Sequence, residues 1–274
     1  MTIPFYKMSG SGNDFIIIDN RNNIIPMDDL SVFAAKVCRR KLSVGADGLI
    51  LIEPSSSVDF KWNFFNSDGS VAEMCGNGAR CTARFALLND IAGKEMAFET
   101  IAGVIRARVL NDRVKINMTD PQDLELGCRV QLDPAAYDYD RLNTGVPHVV
   151  IEVDDIEAVD VVGIGRQIRH HADFSPAGTN VNFIGQDGQL WVVRTYERGV
   201  EDETLACGTG IVAGALVLAA RKSLPSPISL RSRSGSLLNV FFTQTETGFK
   251  EISLEGDARI IYKGVLTDDA WRWD

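Results

Sequence analysis

Glu73-Met74-Cys75-Gly76-Asn77-Gly78-Ala79-Arg80 decides how this chain is read. A cysteine stands ahead of two glycines, and the residues that follow predict a helix from about Asn77 to Leu88. The sulfur then sits at a helix N-terminus, where partial positive charge and unpaired N–H groups favour thiolate over thiol. Gly76 and Gly78 leave the backbone bare, so a carboxylate can approach its N–H groups. The second half repeats the device: Leu205-Ala206-Cys207-Gly208-Thr209-Gly210 precedes an apolar helix, Ile211 to Ala220. A single free cysteine is more often packing than chemistry. Two of them, one in each half and with glycines at the same offsets, point to a pair of sulfurs facing one substrate. One thiolate takes a proton from carbon while the other thiol gives one from the opposite face.

The composition narrows the setting. A chain of 274 residues fits about two domains. With 28 basic and 37 acidic residues the net charge is −9, which leaves no basic stripe for a nucleic acid. Arg39-Arg40-Lys41 reads as the solvated end of a helix, where cations suit the dipole. No apolar run is long enough to span a bilayer, so no membrane partner is expected. The first residues show no basic segment followed by an apolar one, so no secretory signal is expected. Five cysteines, an odd number, do not suit a disulfide framework, and three histidines without Cys-x-x-Cys make a metal site unexpected. A reducing cytoplasm is the expected location.

In the first half, Phe5 to Met8 and Phe15 to Asp19 read as strands about the glycine-rich loop Ser9 to Asp14, which makes Asn13 a binding candidate by position. Asp28 to Arg39 reads as a helix with Leu30, Phe33, Ala34 and Val37 on one face. Strands are expected at Leu49 to Ile52, Phe60 to Phe64, Phe98 to Thr100, Val104 to Val109 and Val114 to Met118. Asn66 follows a strand and lies near the first helix mouth; a plain turn residue is the competing reading. Thr119 to Asp123 marks the boundary between lobes, and a mixed polar stretch through Asp133-Pro134 follows.

In the second half, His148 stands at the mouth of a strand, Val149 to Val153, where it either tunes a nearby ionisation or lies on the surface. Gly165 to His170 reads as helical, and Thr179 to Phe183 and Leu190 to Tyr196 as strands. The acidic run after Glu197-Arg198 would ordinarily be solvated surface. Here it leads to Cys207, so Arg198 is suited to pair with a substrate carboxylate and Glu197 with an ammonium. Strands are expected at Ile228 to Arg231, Leu237 to Phe242, Glu251 to Leu254 and Arg259 to Tyr262. The fold class is α+β: two similar lobes, each a curled, mostly antiparallel sheet wrapped on a central helix.

Seven segments in order, Gly12 to Phe15, Gly45 to Gly48, Phe65 to Gly69, Met74 to Cys81, Thr179 to Val181, Tyr196 to Gly199 and Ala206 to Gly210, resemble the diaminopimelate epimerases over nearly the whole chain. The resemblance implies a cofactor-independent isomerase that interconverts LL- and meso-2,6-diaminopimelate for lysine and cell-wall precursor synthesis. It implies two pseudo-symmetric lobes, residues 1–118 and 119–262, with 263–274 returning to the first, a site in the cleft between them, and a homodimer. Carried over residue by residue, it makes Cys75 and Cys207 the catalytic pair. Asn13, Asn66, Asn180, Glu197 and Arg198 become substrate contacts, and Gly76-Asn77 and Gly208-Thr209 the backbone cradles for carboxylate. His148 and Glu197 become the groups that adjust thiol ionisation. Gly48 and Val146 stand where some members carry Gln and Asn, so no side-chain contact carries over at either. Two other readings compete: a proline or hydroxyproline racemase of the same architecture, and a binding protein that has kept the site without the reaction.

Overall fold

The computed structural model describes residues 2–25 and 28–273. The chain divides into two compact units, Met1–Ile116 with Gly256–Asp274, and Asn117–Glu255.

In the first unit, β1 (Ile3–Gly10) and β2 (Asn13–Asp19) form a hairpin whose register pairs Gly10 with Asn13. The chain crosses through α1 (Leu30–Val37) to β3 (Gly48–Glu53), which lies parallel to β2. Then β4 (Phe60–Asn66) runs antiparallel to β3, and α2 (Gly76–Leu88) crosses to β5 (Glu95–Thr100), parallel to β4. The strands β6 (Gly103–Leu110) and β7 (Arg113–Asn117) continue as a meander.

The second unit follows the same plan. A ribbon, β8 (Gln122–Gln131) and β9 (Ala136–Asn143), leads to β10 (Pro147–Glu152), antiparallel to β9. Next α3 (Val161–Arg169) crosses to β11 (Asn180–Asp187), parallel to β10, and β12 (Leu190–Glu197) runs antiparallel to it. After the short β13 (Asp202–Thr204), α4 (Gly208–Lys222) crosses to β14 (Ile228–Arg231), parallel to β12. The meander closes with β15 (Leu237–Thr245) and β16 (Gly248–Asp257). The last strand, β17 (Arg259–Leu266), pairs with β1 as β8 pairs with β9. Both units thus carry an antiparallel pair, a helical crossover to a parallel strand, an antiparallel return, and a second crossover that opens on a cysteine.

This plan explains the sequence pattern. A strand covered on both faces must be apolar at every position, not at alternate ones. Phe15-Ile16-Ile17-Ile18 and Leu49-Ile50-Leu51-Ile52 are fully buried runs of that kind, and so is Val149-Val150-Ile151. Ile16, Ile18, Leu49 and Leu51 pack with Phe33 and Val37 of α1. In the second unit Val149, Ile151, Val181 and Phe183 pack with Val161 and Ile168 of α3. The cysteine-led helices are buried along their length, Asn77 to Ala83 in α2 and Gly210 to Ala219 in α4.

Several expectations need correction. The stretch read as mixed polar is the β8–β9 ribbon; β8 is largely exposed, and β9 buries Tyr139, Asp140 and Leu142 without strict alternation, so neither strand left a period of two to read. The expected helix 28–39 contracts to α1, because Asp29 caps it by accepting from Ser31 N and Val32 N. The helix expected from Gly165 begins at Val161, capped by Asp160. Arg40 remains exposed, but it bridges Asp14 at 2.7 Å and Asp47 at 3.0 Å.

Candidate active site

Cys75 is the N-cap of α2. Its backbone is extended (φ −144°, ψ 119°), its carbonyl accepts from Ala79 N at 2.8 Å, and its side chain makes no capping hydrogen bond. The first N–H groups of such a helix have no helical acceptor, so they form a positive mouth beside the half-buried sulfur. Asn77, in the first turn and buried, donates its Nδ2 to Asn13 Oδ1 at 2.6 Å. Asn13 Nδ2 in turn donates to Asp47 Oδ2 at 3.2 Å. A primary amide offers two donors and two lone pairs; these bonds leave Asn13 one N–H and one lone pair for a ligand. Asn66 ends β4, exposed, with its Nδ2 on Ser70 Oγ at 3.0 Å. Opposite it in register lies Gly48, where a Cβ would come within 2.6 Å of the Phe64 ring and 2.7 Å of Phe65 O. As the chain stands, that position is closed to a side chain.

Cys207 repeats the arrangement at the N-cap of α4 (φ −109°, ψ 110°), again without a side-chain cap and with its carbonyl accepting from Ile211 N at 2.9 Å. Thr209 Oγ1 lies 3.4 Å from Cys207 Sγ, and Thr209 O accepts from Thr144 Oγ1 at 3.2 Å. The Glu197 carboxyl faces the side chains of Thr204 and Cys207. Burial raises its pKa above the ordinary carboxyl range, and those two side chains oppose the rise. Asn180 Oδ1 accepts from Arg198 N at 2.8 Å, while Arg198 Nη1 donates to Ala177 O at 3.0 Å.

His148 is not on the surface. It is the second residue of β10, faces Asn180 across the parallel pair, and is 1% exposed. Asn182 Nδ2 donates to Val149 O at 2.8 Å and lies 3.0 Å from His148 Nδ1, while Asn182 Oδ1 accepts from Thr195 Oγ1 at 2.9 Å. The Asn182 amide is thereby oriented, and His148 Nδ1 must accept. The ring proton is held on Nε2, a buried atom with no hydrogen-bond partner among the described residues. Burial first, and the Arg198 charge second, push the His148 pKa down to about 3, so the ring is neutral.

The remaining cysteines separate from these two. Burial pushes the Cys38 and Cys81 thiols up to about 12. Cys128 is also raised, by burial and by Glu125. All three remain thiols. Among the described residues no group of three His, Cys, Asp or Glu side chains is placed to hold a metal ion, and no helix is long and apolar enough to cross a membrane.

The family model described as diaminopimelate epimerase matches residues 5–124 and 141–261. The chain belongs to the diaminopimelate epimerase family. A curated diaminopimelate epimerase of Aquifex aeolicus (strain VF5) is 44% identical, with 97% of this chain and 99% of that protein aligned. One from Archaeoglobus fulgidus is 38% identical over the full length of both. Among solved structures, a phenazine biosynthesis protein of the PhzF family from Bacillus anthracis superposes with a TM-score of 0.73 at 14% identity, covering 97% of this chain and 99% of that one. A hydroxyproline epimerase from Agrobacterium vitis gives 0.69 at 16%, covering 98% and 93%. At those identities the likeness is one of fold.

For this diaminopimelate epimerase family member, the fold adds residues that motif reading passed over. Asn182, Thr195 and Thr144 support His148 and Thr209 from within the second unit. Ser11, Asp47 and Arg80 do the same around Asn13 and Asn77. Small polar residues in strands look like ordinary solvent-face positions in a sequence. Only their burial, together with the register His148↔Asn180, marks them.

Proposed function

We propose that the protein interconverts LL- and meso-diaminopimelate without a cofactor, with Cys75 and Cys207 as the acid–base pair. The observation that supports this most directly is that both cysteines occupy the same N-cap position, extended and with no side-chain cap, on the two equivalent crossover helices.

The α-proton of an amino acid is a very weak acid, so its removal requires stabilisation of the charge that develops on the carboxylate. Two helix mouths, each worth about half a positive charge, meet that need. Donors aimed at developing charge are worth about 3 kcal/mol each. In the LL-to-meso direction the Cys207 thiolate takes the α-proton and the Cys75 thiol delivers one to the opposite face of the planar carbanion. One S–H bond forms as another breaks, so the sulfurs exchange protonation states at each turnover. The reverse direction exchanges their roles. Gly76-Asn77 and Gly208-Thr209 cradle the reacting carboxylate. Asn13, Asn66, Asn180, Glu197 and Arg198 contact the rest of the substrate, and Glu197 and neutral His148 adjust the thiols.

The family likeness further supports a homodimer, a cytoplasmic setting and a role in lysine and cell-wall precursor synthesis. Light scattering should then give twice the chain mass. The catalytic reading is tested by proton NMR of LL-diaminopimelate in deuterated water with the reduced protein and no added pyridoxal phosphate. Loss of the α-proton signal with appearance of the meso isomer is expected. No exchange with diaminopimelate, or exchange with proline instead, would overturn it.

A further inference from the structure

Among the described residues Arg80 is the largest fully buried side chain, with no exposed surface. It lies in the second turn of α2, and every acceptor around its guanidinium is neutral. Nη2 donates to Ser11 Oγ and Asn77 Oδ1, both at 2.8 Å, Nη1 to Gly76 O at 3.4 Å and Nε to Asp257 O at 3.2 Å. Ser11 joins Arg80 to the carboxylate of Asp257: its Oγ donates to Asp257 Oδ1 at 2.9 Å, and the other carboxylate oxygen accepts from Arg259 Nε at 2.9 Å. Burial pulls the Arg80 pKa down, but a guanidinium keeps its proton in a protein. A buried cation bonded only to neutral acceptors is costly unless an anion comes to it.

We propose that Arg80 is a positioning residue of the first helix mouth: it fixes Gly76 and Asn77 and supplies a buried positive charge for the Cys75 sulfur. The charged and titratable groups acting on it are, largest first, Cys81 on α2, Asp257 at the end of β16, Cys75 at the cap of α2, and Arg113 at the start of β7, which opposes. Cys81 stays a thiol, and the Asp257 charge is shared with Ser11 and Arg259, so a Cys75 thiolate is the further negative charge that the reaction itself can bring to Arg80. Arg80 therefore favours the free protein in which Cys75 is thiolate, the form used in the meso-to-LL direction. That last link rests on the two-cysteine reading; the charge relationship does not. Through Asn77, Arg80 also sets the position of Asn13.

The test is the pH dependence of Cys75 carbamidomethylation by iodoacetamide, followed by peptide mass spectrometry, which needs no turnover. In Arg80→Met the rise in rate should move to higher pH, with reaction at pH 6.5 slowed about tenfold or more. Arg80→Lys keeps the charge and should stay within about threefold of the unaltered protein. Coincident profiles for Arg80→Met and the unaltered protein would overturn the proposal, as would an Arg80→Lys shift equal to that of Arg80→Met. If circular dichroism shows that neither variant folds, the unaltered protein decides. Its Cys75 must react with a midpoint below that of the isolated Glu73–Arg80 peptide, and a midpoint at or above it overturns the proposal.

Discussion

Asn182 Nδ2 and His148 Nδ1 lie 3.0 Å apart inside the second unit, and the other bonds of that amide leave the histidine only the acceptor role. The ring is therefore buried neutral, with its proton directed to Nε2. In the unfolded chain a histidine titrates near 6.5; folded, His148 is pushed down to about 3. Between those values the unfolded state binds the extra proton. The stability from keeping this ring neutral is therefore complete above about pH 6.5 and is lost as pH falls toward 3. The slope is about 1.4 kcal/mol per pH unit. His148→Gln should flatten the pH dependence of urea unfolding across that window; an unchanged slope would show that the ring is not buried neutral.

Glu197 carries the opposite sign. Burial raises its folded pKa above the ordinary range, so the native state holds its proton more tightly and stability is lost as pH rises past about 4.5. Glu197→Gln removes that penalty and, through lost proton management at Cys207, should lower kcat by about 10²–10⁴-fold. The variant is expected to melt higher than the unaltered protein at pH 7, with little difference at pH 4. A variant that melts lower at pH 7 and turns over normally would remove Glu197 from the chemistry.

The glycines at the third position after each cysteine motif's start are not equivalent. A Cβ on Gly210 would come within 2.3 Å of Asn182 Oδ1 and 3.2 Å of Thr195 Oγ1. On Gly78 the nearest atom is the flexible Ile50 Cδ1, at 3.2 Å. Gly210→Ala should cost about 1–3 kcal/mol and disturb the Asn182–His148 bond. Gly78→Ala should stay within about 1 kcal/mol, because alanine's better helix propensity offsets the tighter contact. Paired denaturant melts settle the ranking, and equal losses would contradict it.

The two helix mouths were legible from Cys75 and Cys207 because a cysteine before spaced glycines and an apolar helix is a compact local signal. The doubly covered strands were legible as unbroken apolar runs. The β8–β9 ribbon was not, since β8 is mostly exposed and the buried positions of β9, Tyr139, Asp140 and Leu142, do not alternate. The burial of His148 was not legible either. A histidine at the start of Val149-Val150-Ile151 reads equally as buried or as surface, and its burial depends on β11 and α4, which are distant in sequence. Arg80 could not be distinguished from any helical surface arginine, because its four acceptors come from three separate segments.

The most direct measurement follows solvent deuterium into the α-position of diaminopimelate with the reduced protein and with its Cys75→Ala and Cys207→Ala variants, each first checked for folding. The unaltered protein should exchange the α-proton and form the other isomer, while each variant should fail to epimerise. Near-unaltered epimerisation by either folded variant would contradict a reaction that needs one thiolate and one thiol.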